Sequence, residues 1–254
     1  MFKWLIPALV LHSAGCFVGG SIVAQPGGKT IHSSLEESRM SYVTNFHDSV
    51  TASDTRLVNG RIYTPVYQGV KNHPYYNSNT WDYGTVYTNE ATFSNIPLRY
   101  DLYNDQPLYL TILSQGAYML ALNRDNIRGF VIHQSRFTHL DPKKKSPSKN
   151  LPAGYYQVLH RGDIADYYIR WSKYRKENMG FEPDEFVIER INVAKVDGHF
   201  FTFQNRRGLI KIFPDLKKEI KSYLRDNTIY IRRASPSEIC SIFSYLETLK
   251  AKQQ

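Results

Sequence analysis

From Leu57 onward, runs of about six or seven residues alternate with tight turn signals, and that rhythm leaves few folds open. Asn59-Gly60 stands between Leu57-Val58 and Ile62-Tyr63, a hairpin signal because both turn residues tolerate positive φ. Gly84 to Tyr87 turns at Asn89-Glu90 into Ala91 to Phe93. Pro97 to Tyr103 turns at Asn104 to Pro107 into Leu108 to Leu113. Ser114-Gln115-Gly116 leads to Ala117 to Leu122, and Asn123 to Asn126 leads to Ile127 to His133. Leu98, Tyr100 and Leu102 alternate with Arg99 and Asp101, the period of a half-buried strand. Short strands with tight turns predict an antiparallel meander.

The rhythm stops at Asp141 to Ala153, where three prolines and four lysines cannot build a core. This stretch reads as an exposed loop or a linker. Strands resume at Gly154 to His160, Ile164 to Ser172, Phe186 to Ile191, Val193 to Val196 and Phe200 to Phe203. Asp197-Gly198 and Asn205 to Gly208 supply the last turns, and Thr228 to Arg232 reads as a short strand. Most of these runs fall short of the roughly 9–11 residues an outer-membrane strand needs, which argues against a membrane barrel.

Helices are expected at both ends. Ser34 and Glu37 have capping-box spacing, opening a helix from about Leu35 to Asp48 with Met40, Val43 and Phe46 on its apolar side. Pro214 opens a helix striped by Leu216, Ile220, Tyr223 and Leu224. Ser235-Pro236-Ser237-Glu238 opens the last one, which carries Ile239, Ile242, Phe243, Leu246 and Leu249 inward. The fold class expected is α+β: an antiparallel β-meander-rich body with an N-terminal helix and two C-terminal helices packed on the sheet. Residues 57–140 and 154–254 form two β lobes, or one continuous domain across the basic stretch 141–153.

The first 24 residues read as a signal peptide: Lys3, then an uncharged stretch from Trp4 to Val23, then cleavage after Ala24. Residues 25–56 follow as a tether and the N-terminal helix. The chain is expected to be exported, to the periplasm or the cell exterior. Two alternatives stand beside this: lipid attachment at Cys16, and retention of the apolar segment as an anchor. Once Cys16 departs, Cys240 is alone and no internal disulfide can form. About 230 residues are enough to hold a fold by core packing instead. The Cys240 thiol, among Ile239, Ile242 and Phe243, is expected to be inert.

The motifs Leu57 to Tyr63, His73-Pro74-Tyr75-Tyr76, Trp81 with Gly84 to Tyr87, Asn95 to Asp101, Gly154 to Leu159 and the Lys-rich helix after Pro214 run through most of the mature chain. In them the sequence resembles a group of uncharacterised exported proteins common in Bacteroidota. Gln25 directly after the cleavage site is similar to that group too. The resemblance implies compartment and a single-family architecture; it carries no activity.

For function, the densest aromatic patch is His73, Tyr75, Tyr76, Trp81, Asp82 and Tyr83, able to stack a sugar or planar ligand while Asp82 or His73 orients a hydroxyl. The opposing expectation is that these rings pack a long loop onto the sheet. His133, His139 and His160 make no metal-ligand spacing, and no metal or cofactor is expected. Glu182, Asp184 and Glu185 cluster around Pro183 without the spacing of a catalytic pair. A formal charge of +9 would draw an exported chain to anionic surfaces such as lipid headgroups, acidic glycans or extracellular nucleic acid, but charge alone does not choose among them, and a solvated surface with an excess of lysine is the favoured reading. The basic stretch Lys143, Lys144, Lys145 and Lys149 would make that contact. Arg161-Gly162-Asp163 matches an integrin-binding tripeptide, but it sits where an ordinary turn is expected, so integrin binding is disfavoured. The expectation is a non-enzymatic binding or scaffolding protein; the alternative is an extracytoplasmic hydrolase with dispersed acids and histidines.

Overall fold

The computed structural model describes Leu57 and residues 60–67, 69–113, 116–142 and 151–251. The expected signal peptide, Cys16, the helix from Leu35 and the lysines at 143, 144, 145 and 149 lie outside them. Among the described residues, eleven strands form one antiparallel sheet. They are β1 (Arg61–Ile62), β2 (Asp82–Thr88), β3 (Thr92–Asp101), β4 (Gln106–Leu113), β5 (Gly116–Ala121) and β6 (Ile127–Ile132). Then come β7 (Ser135–Leu140), β8 (Gly154–His160), β9 (Asp166–Lys176), β10 (Glu185–Val196) and β11 (His199–Phe203). Their order is β1-β5-β4-β3-β2-β6-β7-β8-β9-β10-β11. Strands on either side of the basic stretch share the sheet, because Leu140 of β7 pairs with Gly154 of β8.

Several strands depart from the sequence reading, each for a local reason. The runs read as Ala91 to Phe93 and Pro97 to Tyr103 merge into a single strand, β3, from Thr92 to Asp101, in which Asn95 takes a left-handed φ of 56° and bulges out of the β2 ladder. Phe186 to Ile191 and Val193 to Val196 are likewise one strand, β10. The Asn192 between them is buried, its amide oxygen accepting from the Tyr167 hydroxyl at 2.9 Å, so the polar break in the sequence is a core hydrogen bond. β7 went unread because only Phe137 is buried along it, and its turn is His133-Gln134, two residues unusual at positive φ. The hairpin expected at Asn59-Gly60 lies partly outside the described residues, and Arg61 and Ile62 pair with Ala121 and Leu120 of β5. β3, β9 and β10 reach 10, 11 and 12 residues, so strand length does not set this sheet apart from a membrane barrel's. Among the described residues, no helix is long and apolar enough to cross a membrane.

The sheet curls. The Lys173 amide on β9 donates to the Leu102 carbonyl just past β3 at 3.3 Å, although β2, β6, β7 and β8 separate those strands in hydrogen-bonding order. The segment from Lys71 to Tyr76 ties the two places together. Phe186 donates to Lys71, Leu102 donates to Pro74 at 2.9 Å, and Tyr76 donates to Tyr100 at 2.8 Å. One apolar cluster, with Tyr100, Phe130, Phe137 and Tyr155 at its centre, packs rings edge-to-face and stacked with centroids about 5 Å apart.

A second cluster lies between β9, β10, β11 and three helices. These are α1 (Arg206–Ile212), α2 (Lys217–Asp226) and α3 (Pro236–Ala251). Where two C-terminal helices were expected there are three, because Asn205 caps a helix: its side chain accepts from Gly208 N–H at 2.9 Å. Pro214 opens a 3-10 turn that runs into α2, whose Ile220 and Leu224 are buried. At α3 the Ser235 hydroxyl accepts from Glu238 N–H at 3.2 Å while Glu238 accepts from Ser235 N–H at 2.7 Å, the reciprocal box the sequence predicts. Between α2 and α3 the expected strand is a turn. Ile229 and Ile231 alternate as in a strand, yet both point into the helical cluster.

Candidate functional site

The aromatic patch does not assemble into one surface. The Arg99 guanidinium lies over both the Tyr75 and Trp81 rings, 4.5 and 4.3 Å from their centroids, and His73 stacks on Tyr75 at 6.0 Å. Lys173 Nζ clamps this corner by donating to the His73 and Tyr75 carbonyls at 2.6 and 2.9 Å. Burial, then the charges of Lys173 and Arg99, hold the His73 pKa below its usual value. Tyr76 faces another way, into the ring cluster, with Phe137 5.1 Å away. Asp82 accepts from the His133 amide at 2.9 Å and sits 3.1 Å from His133 Nδ1. Tyr83 stands exposed and apart. Tyr75, Trp81 and His73 thus share a stack with a cation already in it, and the other three residues are elsewhere.

Other candidates are also engaged. Glu182 pairs with Lys71, Asp184 with Arg175 and Glu185 with Lys176, at 2.6, 2.7 and 3.1 Å. Arg161-Gly162-Asp163 is a turn seated on α3: the Glu247 carboxylate accepts from the Asp163 and Ile164 amides at 3.2 and 2.9 Å. A Cβ at Gly162 would lie 2.2 Å from Glu247 Oε1, so a larger residue there would push that carboxylate aside. Cys240 Sγ reaches the Leu159 carbonyl at 3.4 Å, and burial pushes its thiol pKa up. Among the described residues, no three His, Cys, Asp or Glu side chains gather to hold a metal ion.

One buried ionic knot escaped the sequence reading. Asp105, in the β3–β4 turn, accepts from Arg170 Nη1 at 2.7 Å, from the Tyr100 hydroxyl and from Arg124. Arg170 also donates to the Tyr155 carbonyl at 3.0 Å. Burial and Asp105 drive the Tyr100 pKa far up. A Cβ on Gly154 would lie 2.2 Å from Asp105 Oδ2, so a glycine admits the carboxylate. The knot is closed off by its own partners and reads as structural.

The open site lies instead at the helical end. A groove of about 970 Å³ is lined by Asn205, Leu224, Thr228, Ile229, Tyr230, Ile231 and five arginines: Arg206, Arg207, Arg225, Arg232 and Arg233. α1 presents the first pair and the α2–α3 turn the last. That turn is held rigidly: Arg233 and Ala234 both donate to the Tyr230 carbonyl at 2.8 Å, Ile229 donates to Leu224 at 2.8 Å, and Arg190 donates to the Ala234 carbonyl. Burial of Ile229, Ile231 and Ala234 pins it, and Tyr230 is left 71% exposed. Arg225 is paired with Asp226 at 2.9 Å, whereas the other four arginines have no ion-pair partner among the described residues. Guanidinium forks on a fixed frame suit oxyanions, which they can grip two hydrogen bonds at a time. The sequence signal for this site was present as two Arg-Arg doublets, Arg206-Arg207 and Arg232-Arg233, each beside a turn; only the fold brings them to one groove.

The fold and groove define an antiparallel sheet protein with a helical cover and a basic cleft in that cover. No family model, curated protein or solved structure matches the chain.

Proposed function

We propose that this chain is a non-enzymatic exported protein, periplasmic or on the cell surface, that binds or scaffolds an anionic partner through the arginine groove. The observation that carries the reading is four arginines on rigid backbone with no ion-pair partner among the described residues. Gathering like charges destabilises a fold unless something anionic repays it, so such clusters mark binding surfaces. The signal-peptide character of the first 24 residues and the resemblance to exported proteins of Bacteroidota support the compartment. A hydrolase built on dispersed acids would need those acids to converge, and Glu182, Asp184 and Glu185 each hold a different cation.

Retention on immobilised heparin, used as a generic polyanion, tests the reading. The double variant R232E/R233E is expected to elute at clearly lower salt than the native chain. K217E/K218E, which removes an equal charge from exposed positions of α2 outside the groove, is expected to elute later than R232E/R233E. Equal shifts for the two variants would mean that overall charge, not the groove, makes the contact.

A further inference from the structure

Building on the reading of the groove as an anion-facing surface, we infer that its ligand is a single-stranded nucleic acid gripped by its phosphodiester backbone. The first reason is the balance of donors and acceptors. Arginine side chains only donate, and the lining contains no carboxylate. Its side-chain acceptors are the Asn205 amide oxygen, already taken by Gly208 N–H, and the hydroxyls of Thr228 and Tyr230. A neutral glycan presents mainly hydroxyls, which must donate as well as accept, and this wall offers them few side-chain acceptors. A phosphodiester offers acceptors alone, which is the complement of the wall.

The second reason is Tyr230. Its ring is exposed, makes no ring contact among the described residues, and lies in the same lining as both arginine doublets. A base can stack on such a ring, and arginine-plus-aromatic channels track single strands in this way without reading their sequence. A bare polyphosphate would leave the ring unused. The third reason is shape. A duplex is read by elements that protrude into its grooves, whereas a concave channel admits a flexible strand. Beneath the arginines, Leu224, Ile229 and Ile231 supply an apolar floor, which lowers the local dielectric and strengthens each phosphate contact.

Fluorescence anisotropy of the full chain with a labelled strand of about twelve nucleotides, a length within the usual site sizes, tests the assignment. Binding is expected to fall at least about tenfold in R232E/R233E and roughly tenfold in Y230A, to persist in Y230F, and to change by no more than about twofold in K217E/K218E. The logarithm of the affinity is expected to fall with that of salt by about 0.7 per phosphate contacted. Unchanged melting temperatures for these exposed-site variants separate lost contacts from lost folding. Native-like binding by Y230A would overturn the inference. So would stronger competition from heparin, inorganic polyphosphate or phosphatidylglycerol vesicles than from unlabelled strand at equal charge. Groove-dependent heparin retention without strand binding would remove the nucleic acid and leave the binding reading standing; loss of both would remove the two together.

Discussion

At the scale of single residues, the fold depends on charges placed where water does not reach. Asp105 and Arg170 are each 7% exposed, and the carboxylate also satisfies Tyr100 and Arg124. Removing the charge of Asp105 leaves Arg170 buried without its counter-ion, a change that typically costs about 3–5 kcal/mol. Asp105→Asn is therefore expected to lower unfolding free energy by about that amount in urea, with little loss if the knot is wet and dispensable. His73 gives a pH dependence of known sign. Its folded pKa is depressed by burial and by Lys173 and Arg99, so the unfolded chain takes up the proton first. Stability should fall as pH drops through about 6.5 and level off once folded His73 is itself protonated. Thermal melts between pH 7 and 5 are expected to fall less steeply in His73→Gln than in the native chain. Parallel curves would mean that another group sets the acid limb.

At the scale of elements, the helical cover is a load of apolar contacts on one part of the sheet. Phe243 of α3 stacks on Tyr167 of β9 at 4.9 Å and is 1% exposed. Phe243→Ala is expected to cost about 3–5 kcal/mol, read from chemical denaturation. A native-like midpoint would identify α3 as a detachable arm instead. Much of this layer was legible. The Ser235/Glu238 box and the Ile239, Ile242, Phe243, Leu246 stripe placed α3, and alternation placed Leu98 and Tyr100 in a strand. What stayed hidden has a common cause, that local signals were overruled by tertiary partners. Asn192 looked like a break until Tyr167 satisfied it. Ile229 and Ile231 had strand period but found a helical core. His133-Gln134 carried no turn preference that could have announced β7. The aromatic patch was legible as a cluster of residues, but its fate turned on Arg99, Lys173 and Phe137, which the sequence does not place beside it.

At the scale of the whole molecule, the chain leaves the sheet at its edge strand β11 and enters three helices packed over the neighbouring strands, where α1 and the α2–α3 turn come together. Two Arg-Arg doublets far apart in sequence face one groove there, and they stand out from the general excess of +9 because their frame is fixed. The most direct test of that surface is a titration of labelled protein with a short thymidylate strand, following the arginine Nε–Hε resonances and the backbone amides by NMR. Shifts concentrated on Arg206, Arg207, Tyr230, Arg232 and Arg233 are the expected result. Shifts centred on Lys217 and Lys218, or spread evenly over the basic surface, would contradict the groove as the binding site.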